Sequence, residues 1–444
     1  MKKIYKKSVY RGLLSLCFLL TTQLVLGKGL TFSENFEWTY NIDPGATIEL
    51  SNYDCDVVIE PSSSNTVRFI IYVDAQAKEQ EDLDAIKNYL ESLTFPARSN
   101  EVKLETTFWD NRNSSSTPGK NVIKMKLKNG RSVKLSEFNI SARLYIPESS
   151  NFELESKYSK IEMSNVADLE LNSYDDKIYG KNASGEVRIE AKYSNLEFEN
   201  FGLTQMDIYD SDFTAEKTKD LKIASKYSKI NINQAGNVDI EGYDDTMTFN
   251  TMGDFELNTK YSDLKCLKSG HLDLSIYDSN LEIDEIGDLE ISDSKYSSYE
   301  FETAGAVKIS SSYDDEFSFE KITSFKANSS KYSEYTISNL TNSFTILDGY
   351  DDNIKIYETT SSFTHFDLIS KYANITLNTS AINDLKLDWD TKYGKIEFQE
   401  DEFKTRIMIK DNSEYQYVGI KGTESENMPF IKVRGYDIKM NLNN

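Results

Sequence analysis

Cysteine, histidine and arginine are scarce in this chain of 444 residues, and each scarcity removes a class of explanation. There are 3 cysteines and 2 histidines. Cys17 lies inside an N-terminal apolar run, which leaves Cys55 and Cys266 for the rest of the chain. Two thiols do not make a disulfide scaffold. His271 and His365 are the only imidazoles, and no zinc-type ligand spacing, nucleophile motif or phosphate loop accompanies them. Arg188 is the only arginine between 151 and 400. A base or oxyanion partner there would have to be Lys, His or Tyr. Positive charge is outweighed: 50 Lys and Arg stand against 73 Asp and Glu, a net −23. That balance argues against nucleic acid and anionic lipid, both of which need a basic footprint.

The one long apolar run is at the start. Lys2, Lys3, Lys6, Lys7 and Arg11 precede a mostly apolar stretch from Leu13 to Leu26. It is short for a bilayer span and reads as an export signal, residues 1–27, cut after Gly27. Leu16 stands where lipid attachment at Cys17 would want a small residue. Without those five cations the net charge falls from −23 to −28. No later segment is apolar for long enough to cross a membrane as a helix.

What the chain has in abundance is a repeat. "LESKYSKI" at 154–161 is followed by "LNSYDDKI" at 171–178: one frame, two alternating fillings. Aligned by the frame, the first triplet position is Lys157, Tyr174, Lys192, Tyr209, Lys226, Tyr243, Lys260, Tyr277, Lys295, Tyr313, Lys331, Tyr350 and Lys371, at steps of 17 to 21 residues. Between triplets, apolar and polar residues alternate with period two, as in Leu221-Lys-Ile223-Ala-Ser225 and Ile230-Asn-Ile232. Gly185, Gly236, Gly253, Gly270, Gly287 and Gly305 mark turns. Each unit therefore holds two short strands, a corner at the triplet and a turn. About seventeen residues cannot bury a core alone, so units must stack. An antiparallel meander would not bring one residue type to one corner in every unit. The expected fold is all-β: a parallel β-solenoid, a single-stranded β-helix with coils about 4.8 Å apart.

Stacking explains the alternation. With KYS in every coil, lysines would lie over lysines about 4.8 Å apart. At about 4 Å like charges repel by ~1 kcal/mol in water and ~4 kcal/mol at an effective dielectric of 20. Alternation puts Tyr between successive Lys in the first column, and Tyr158, Tyr193 and Tyr227 between Asp175, Asp210 and Asp244 in the second.

The pattern reaches both ends, through Tyr53-Asp54 and Tyr436-Asp437. Near the C-terminus it loosens, because Lys371 and Lys392 open consecutive Lys-Tyr triplets; Glu414-Tyr415 reads as a degenerate member. About seventeen coils would make a rod of roughly 80 Å. Cys55 and Cys266 would then lie about seven coils apart, roughly 34 Å, and remain free thiols. Residues 28–61 supply the first strands and first coil, 151–444 the solenoid. Residues 62–150 interrupt it with an α+β insert expected to cap the first coil. In that insert Leu83, Ile86, Leu90 and Leu93 stripe a helix, "TVRFIIYVDAQA", "EVKLETTFW", "NVIKMKLKNG" and "ISARLYIP" read as strands, and 111–120 as a polar loop.

No residue set identifies a reaction. The Asp pairs 175–176, 244–245, 314–315 and 351–352 recur with every second or later coil, whereas catalysis needs one constellation at one place. The pairs read as a solvated acidic edge rather than calcium sites, His271 and His365 as surface positions. The chain is expected to have no catalytic residues, no metal site and no cofactor. The residues placed to meet a repetitive ligand are Tyr174, Asp175, Tyr209, Asp210, Tyr243, Asp244, Tyr277, Asp278, Tyr313, Asp314, Tyr350 and Asp351.

The repeat "G-x-V-x-I-x-x-K-Y-S-x-L-x-F", with "ATIELSNYDCDVVIEP…TVRFIIYV" before it, resembles the putative adhesin family of bacterial β-solenoid domains, many from Bacteroidota. The resemblance spans roughly residues 45–440. Here Tyr, Lys and Asp occupy the corner where glycine is more usual. The family supplies no catalytic residues to carry over. The resemblance implies an envelope location, and the chain is expected to be extracytoplasmic, in the periplasm, at the outer-membrane surface or secreted; the regularly spaced surface groups suit a non-catalytic, adhesin-like scaffold that binds a glycan or an envelope protein. A carbohydrate-active enzyme on the same scaffold and a purely structural envelope protein are the alternatives.

Overall fold

The computed structural model describes residues 29–117 and 120–443; the segment expected to be an export signal, with Cys17, lies outside them. Strands make up 71% of the chain and helix 4%, wound as a parallel β-solenoid of about 13 turns. Successive coils pair in parallel, in constant register except for local shifts such as those at Ala183/Glu186 and Leu274/Ser275. Leu221–Lys226 lies on Val238–Tyr243 with Lys226 opposite Tyr243, and Lys229–Gln234 lies on Thr246–Thr251 with Ile230 opposite Met247. Where this register holds, inward positions form continuous apolar columns such as Ile223, Ile240, Leu257, Leu274 and Ile291, all buried. Near the C-terminal half the columns become aromatic: Tyr299, Phe317 and Tyr335 stack at 4.5 and 5.1 Å with nearly parallel rings. Cys266 stacks between Phe249 and Ile283 as a small apolar residue. Both cysteines are free and buried. They lie seven pairing steps apart, and burial pushes their thiols up to about 12 for Cys55 and about 11 for Cys266.

Of the six glycines expected at turns, Gly185 and Gly305 lie inside the continuous strands Lys177–Lys192 and Ser298–Tyr313, and the other four lie between strands; they work by close approach rather than by backbone sign. None of the six has a positive φ. A Cβ on Gly270 would stand 2.5 Å from Asp254 Oδ1 and 3.1 Å from the Gly253 backbone, and the Gly270 N–H donates to Gly253 O at 2.9 Å.

The insert extends the solenoid and covers its first coil. Glu101–Glu105 pairs in parallel with Thr47–Tyr53, and Ser132–Ile146 in parallel with Asp56–Pro61. Thr66–Ala77 joins Leu30–Asn41 and Ser132–Ile146 in antiparallel pairing. The helix Gln80–Ser92 buries Leu83, Ile86 and Leu90 against this sheet. One expectation is corrected here. The polar stretch from Asn111 is not a loop: Trp109–Thr117 is a strand, paired antiparallel with Lys120–Leu127. Its polarity reflects a projecting hairpin wetted on both faces, a pattern that lacks the alternation used to recognise strands.

The C-terminal order holds a second correction. Tyr415 is not a coil corner, because Glu414–Lys421 runs antiparallel to Leu385–Lys392 as part of a hairpin with Lys404–Lys410. The strand Phe430–Tyr436 instead inserts between His365–Lys371 and Leu385–Lys392, pairing in parallel with both. Tyr436 therefore lies between Lys371 and Lys392. The alternation that breaks along the chain is intact in space, and the corner count is sixteen, not seventeen.

Candidate functional site: a tyrosine ridge over a polar spine

At every corner the second triplet residue adopts a left-handed backbone. Sixteen non-glycine residues have positive φ, between 47° and 63°, and they alternate Asp and Tyr from Asp54 onward along the stack. Aspartate tolerates this conformation; a tyrosine there is unusual and costs on the order of 1–2 kcal/mol. What offsets the cost is visible in the rings. Tyr158, second in its triplet, leans towards Tyr174, first in the next, with centroids 5.6 Å apart and planes at 77°. Tyr174 then meets Tyr193, and Tyr193 meets Tyr209. From Tyr53 to Tyr393, sixteen tyrosines form fifteen consecutive edge-to-face contacts, at 5.3–5.7 Å and 68–86°. Each such pair contributes about 0.5–1.5 kcal/mol beyond area burial, and an interior tyrosine makes two.

All twelve residues singled out from the sequence stand on this one edge. Tyr174, Tyr209, Tyr243, Tyr277, Tyr313 and Tyr350 are half-buried, and Asp175, Asp210, Asp244, Asp278, Asp314 and Asp351 are exposed. Sequence reasoning missed the other half of the ridge. Tyr158, Tyr193, Tyr227, Tyr261, Tyr296 and Tyr332, assigned only as spacers, are 44–47% exposed and are its outermost rings. Burial raises their phenols and the neighbouring ladder tyrosines add to the effect. Aligning the triplets by tyrosine, beside the frame, would have found them: the one-residue offset between K-Y-S and Y-D-x is what brings the rings together. Lysines and aspartates flank the ridge in alternate coils, and among the described residues no ion pair joins the two sets. At the N-terminal end Arg112, from the projecting hairpin, pairs with Asp54.

Behind the ridge lies a buried polar spine, and it corrects the reading of the Asp pairs. Only the first Asp of each pair is solvated; Asp176, Asp245, Asp315 and Asp352 are buried. The left-handed corner turns the N–H of the third triplet residue away from the backbone ladder. The side chain of the equivalent residue in the next coil accepts it: Ser211 N–H donates to Ser228 Oγ at 3.3 Å, Ser228 N–H to Asp245 Oδ1 at 2.8 Å, and Asp245 N–H to Ser262 Oγ at 3.1 Å. The series runs from the Cys55 N–H to Asp352. This is why only Ser or Asp occurs there, and why the second carboxylate is not available to a ligand. Burial outweighs these hydrogen bonds and raises all four carboxyls, Asp315 and Asp352 to about 6. The spine stops at Asp352: the next coil offers Ala373, whose side chain has no oxygen to accept the Asp352 N–H, and Asp352 Oδ2 is left without a partner as well.

A second concavity lies on the strand face leading into the corners. An open groove of about 790 Å³ crosses several coils and is lined by Arg188, Lys222, Asp239, Glu256, His271 and Asp273, among others. His365, by contrast, stacks on Phe430 at 5.3 Å and hydrogen-bonds to Thr345 and Thr364, a structural position.

No family model and no curated protein matches the chain. Among solved structures, one of a putative cell adhesion protein from Clostridium sporogenes aligns with 92% of this chain and 99% of its own, at 8% identity and a TM-score of 0.16. One of a putative lipid binding protein from Parabacteroides distasonis aligns with 75% of this chain and 96% of its own, at 12% identity and a TM-score of 0.21. At those scores neither likeness carries an argument, and the site is read from its own geometry.

Proposed function

We propose that the protein is an exported, non-catalytic binding scaffold of the cell envelope, and that the tyrosine ridge is its contact surface for an extended, repetitive polymer, a glycan before an envelope protein. One observation carries this reading: sixteen tyrosines form one continuous, half-exposed line flanked by lysine and aspartate at alternate coils. The outermost rings recur every second coil, about 9.6 Å apart at the sheet spacing. That is comparable to the repeat of two sugar rings in an extended polysaccharide. An aromatic face receives the C–H face of a sugar, and flanking ammonium and carboxylate groups bond its hydroxyls. Every second coil repeats the same groups, which suits many weak contacts acting together rather than one cleaved bond. The spine consumes the second carboxylate of each Asp pair, which further favours binding over hydrolysis.

Glycan-array and calorimetric binding of the wild type, a Tyr193→Ala/Tyr227→Ala/Tyr261→Ala variant and the corresponding Phe variant test the reading. Binding that survives in the Phe variant and is lost in a folded Ala variant supports it. Equal binding by all three, no binding to any glycan or envelope fraction, or turnover of a polysaccharide overturns it.

A further inference from the structure

The solenoid repeats its surface chemistry, so a place where two columns depart from pattern together is informative. Such a place lies at His271. On the turns of the coils around it, an Asp or Asn side chain accepts the backbone N–H of the equivalent residue in the next coil. Asp220 takes Asn237 N–H at 2.9 Å, Asn237 takes Asp254 N–H at 3.1 Å, and Asp254 takes His271 N–H at 3.0 Å. Asp288 resumes the role one coil later, towards Ala306 N–H at 2.8 Å. His271 occupies an Asx position, and its imidazole is released from the column. It turns instead towards the strand beside it, with Nε2 3.6 Å from Asp273 Oδ1.

The second departure is in the outward column of that strand. Asp239, Glu256, Asp273 and Glu290 lie in register, four carboxylates in consecutive coils. Lys222 pairs with Asp239 at 2.7 Å, and Lys308 reaches Glu290 only at 4.0 Å. The repulsion that alternation removes at the corner is thus tolerated here, beside one of the chain's two imidazoles.

We propose that His271, Asp273 and Glu290 form a binding site for a divalent transition-metal ion, with Zn²⁺ as the representative. Their donor atoms all lie within 4.8 Å of one another, and His271 is half-buried while both carboxylates are exposed. His271 immediately precedes the strand Leu272–Tyr277 and Asp273 is that strand's second residue, so the two flank the buried Leu272 on its outward side; Glu290 is directly opposite Asp273 on the next coil. Zn²⁺ holds imidazole nitrogen and carboxylate oxygen at about 2.0–2.2 Å, which sets neighbouring donors of a tetrahedral ion about 3.4 Å apart. Closing the set requires only rotamer adjustment of two exposed carboxylates, while the flat parallel sheet holds their Cα positions. A nitrogen donor distinguishes this set from the hard, all-oxygen environment that calcium and magnesium prefer. The remaining coordination positions open onto the groove and fall to water. Neither cysteine competes, since both are buried.

The chain's two histidines supply the test. Histidine-selective ¹⁵N labelling of the full protein yields two imidazoles, with His365 as internal control. On titration with ZnCl₂, the His271 ring nitrogens are expected to shift and saturate at one equivalent while those of His365 stay. Asp273→Asn and Glu290→Gln should each weaken binding by at least about tenfold, the lower end of what even outer-shell partners cost. Lys308→Gln, which removes a competing cation, should tighten it. CaCl₂ should leave His271 unmoved. All substitutions are at exposed positions, and circular dichroism checks their folding. The proposal is overturned if the two imidazoles move in parallel, if His271 stays fixed while zinc binds elsewhere, if calcium moves His271 as zinc does, or if the carboxylate variants bind as the wild type does.

Discussion

At the residue scale the corner is a compromise between a strained backbone and the groups that reward it. Tyr227 holds φ at 55° and meets Tyr209 and Tyr243 edge-on. In an ordinary strand glycine is worse than alanine by roughly 0.5–1 kcal/mol. In the left-handed region the order reverses, because alanine keeps the Cβ clash. Tyr227→Ala is therefore expected to be less stable than Tyr227→Gly by about 1 kcal/mol, with both below the wild type; urea denaturation of the three proteins measures it. The spine gives a second expectation. Ser228 Oγ accepts the Ser211 N–H and donates to Lys226 O at 2.8 Å. Ser228→Ala leaves a buried N–H unpartnered and should cost about 1–3 kcal/mol, read from the same transition. The reverse change is available where the spine ends. Ala373→Ser offers the missing hydroxyl next to Asp352 and should add about 1 kcal/mol.

The spine also sets a pH dependence. Asp315 and Asp352 have folded-state values of about 6 against an ordinary 3.8. Between those values the folded protein holds more protons than the unfolded chain. Stability is thus greatest towards the acid side of the window and falls as pH rises through it. Asp352→Asn should flatten that slope, measured as the urea midpoint on either side of the window.

At the scale of the element, the sequence was informative wherever register is local. Lys226 and Tyr243 were expected to stack, and do, because a fixed step between triplets is the register of a parallel sheet. The tyrosine ridge was half legible: the offset between K-Y-S and Y-D-D is written in the chain, but ring direction depends on the left-handed corner, which no periodicity announces. The buried Asp was illegible for a related reason. Two adjacent aspartates read as equally solvated until the corner turns one inward. Strand order after Lys371 was hidden because the inserted strand comes from 430–436, some sixty residues on. Yet the alternation rule required it, since two consecutive Lys-Tyr triplets need a Tyr-Asp between them. Hydrogen exchange should show that placement: Phe430–Tyr436, paired on both sides, is expected to exchange more slowly than Lys404–Lys410, which pairs on one side and is exposed throughout.

At the scale of the whole molecule, the solenoid is a ruler with three parallel graduations: an apolar interior, a polar spine and an aromatic outer line. Each is held by contacts between neighbouring coils, so stability is approximately a sum of nearest-neighbour terms. Both ends are closed by departures from the repeat, the insert at one and the antiparallel hairpin at the other. Along the strand face, carboxylates stack in consecutive coils at Glu49, Glu153 and Glu170 and at Asp239, Glu256, Asp273 and Glu290.

The strand that returns to sit between two earlier ones has a consequence for how the chain is made. A solenoid can ordinarily wind up behind the synthesising machinery, each turn settling on the one before. Here the windings at 365–371 and 385–392 cannot close on each other, because the rung between them has not yet emerged. A product truncated before residue 430 would be left with an unfilled slot between two unpaired sheet edges, open to pairing with another chain.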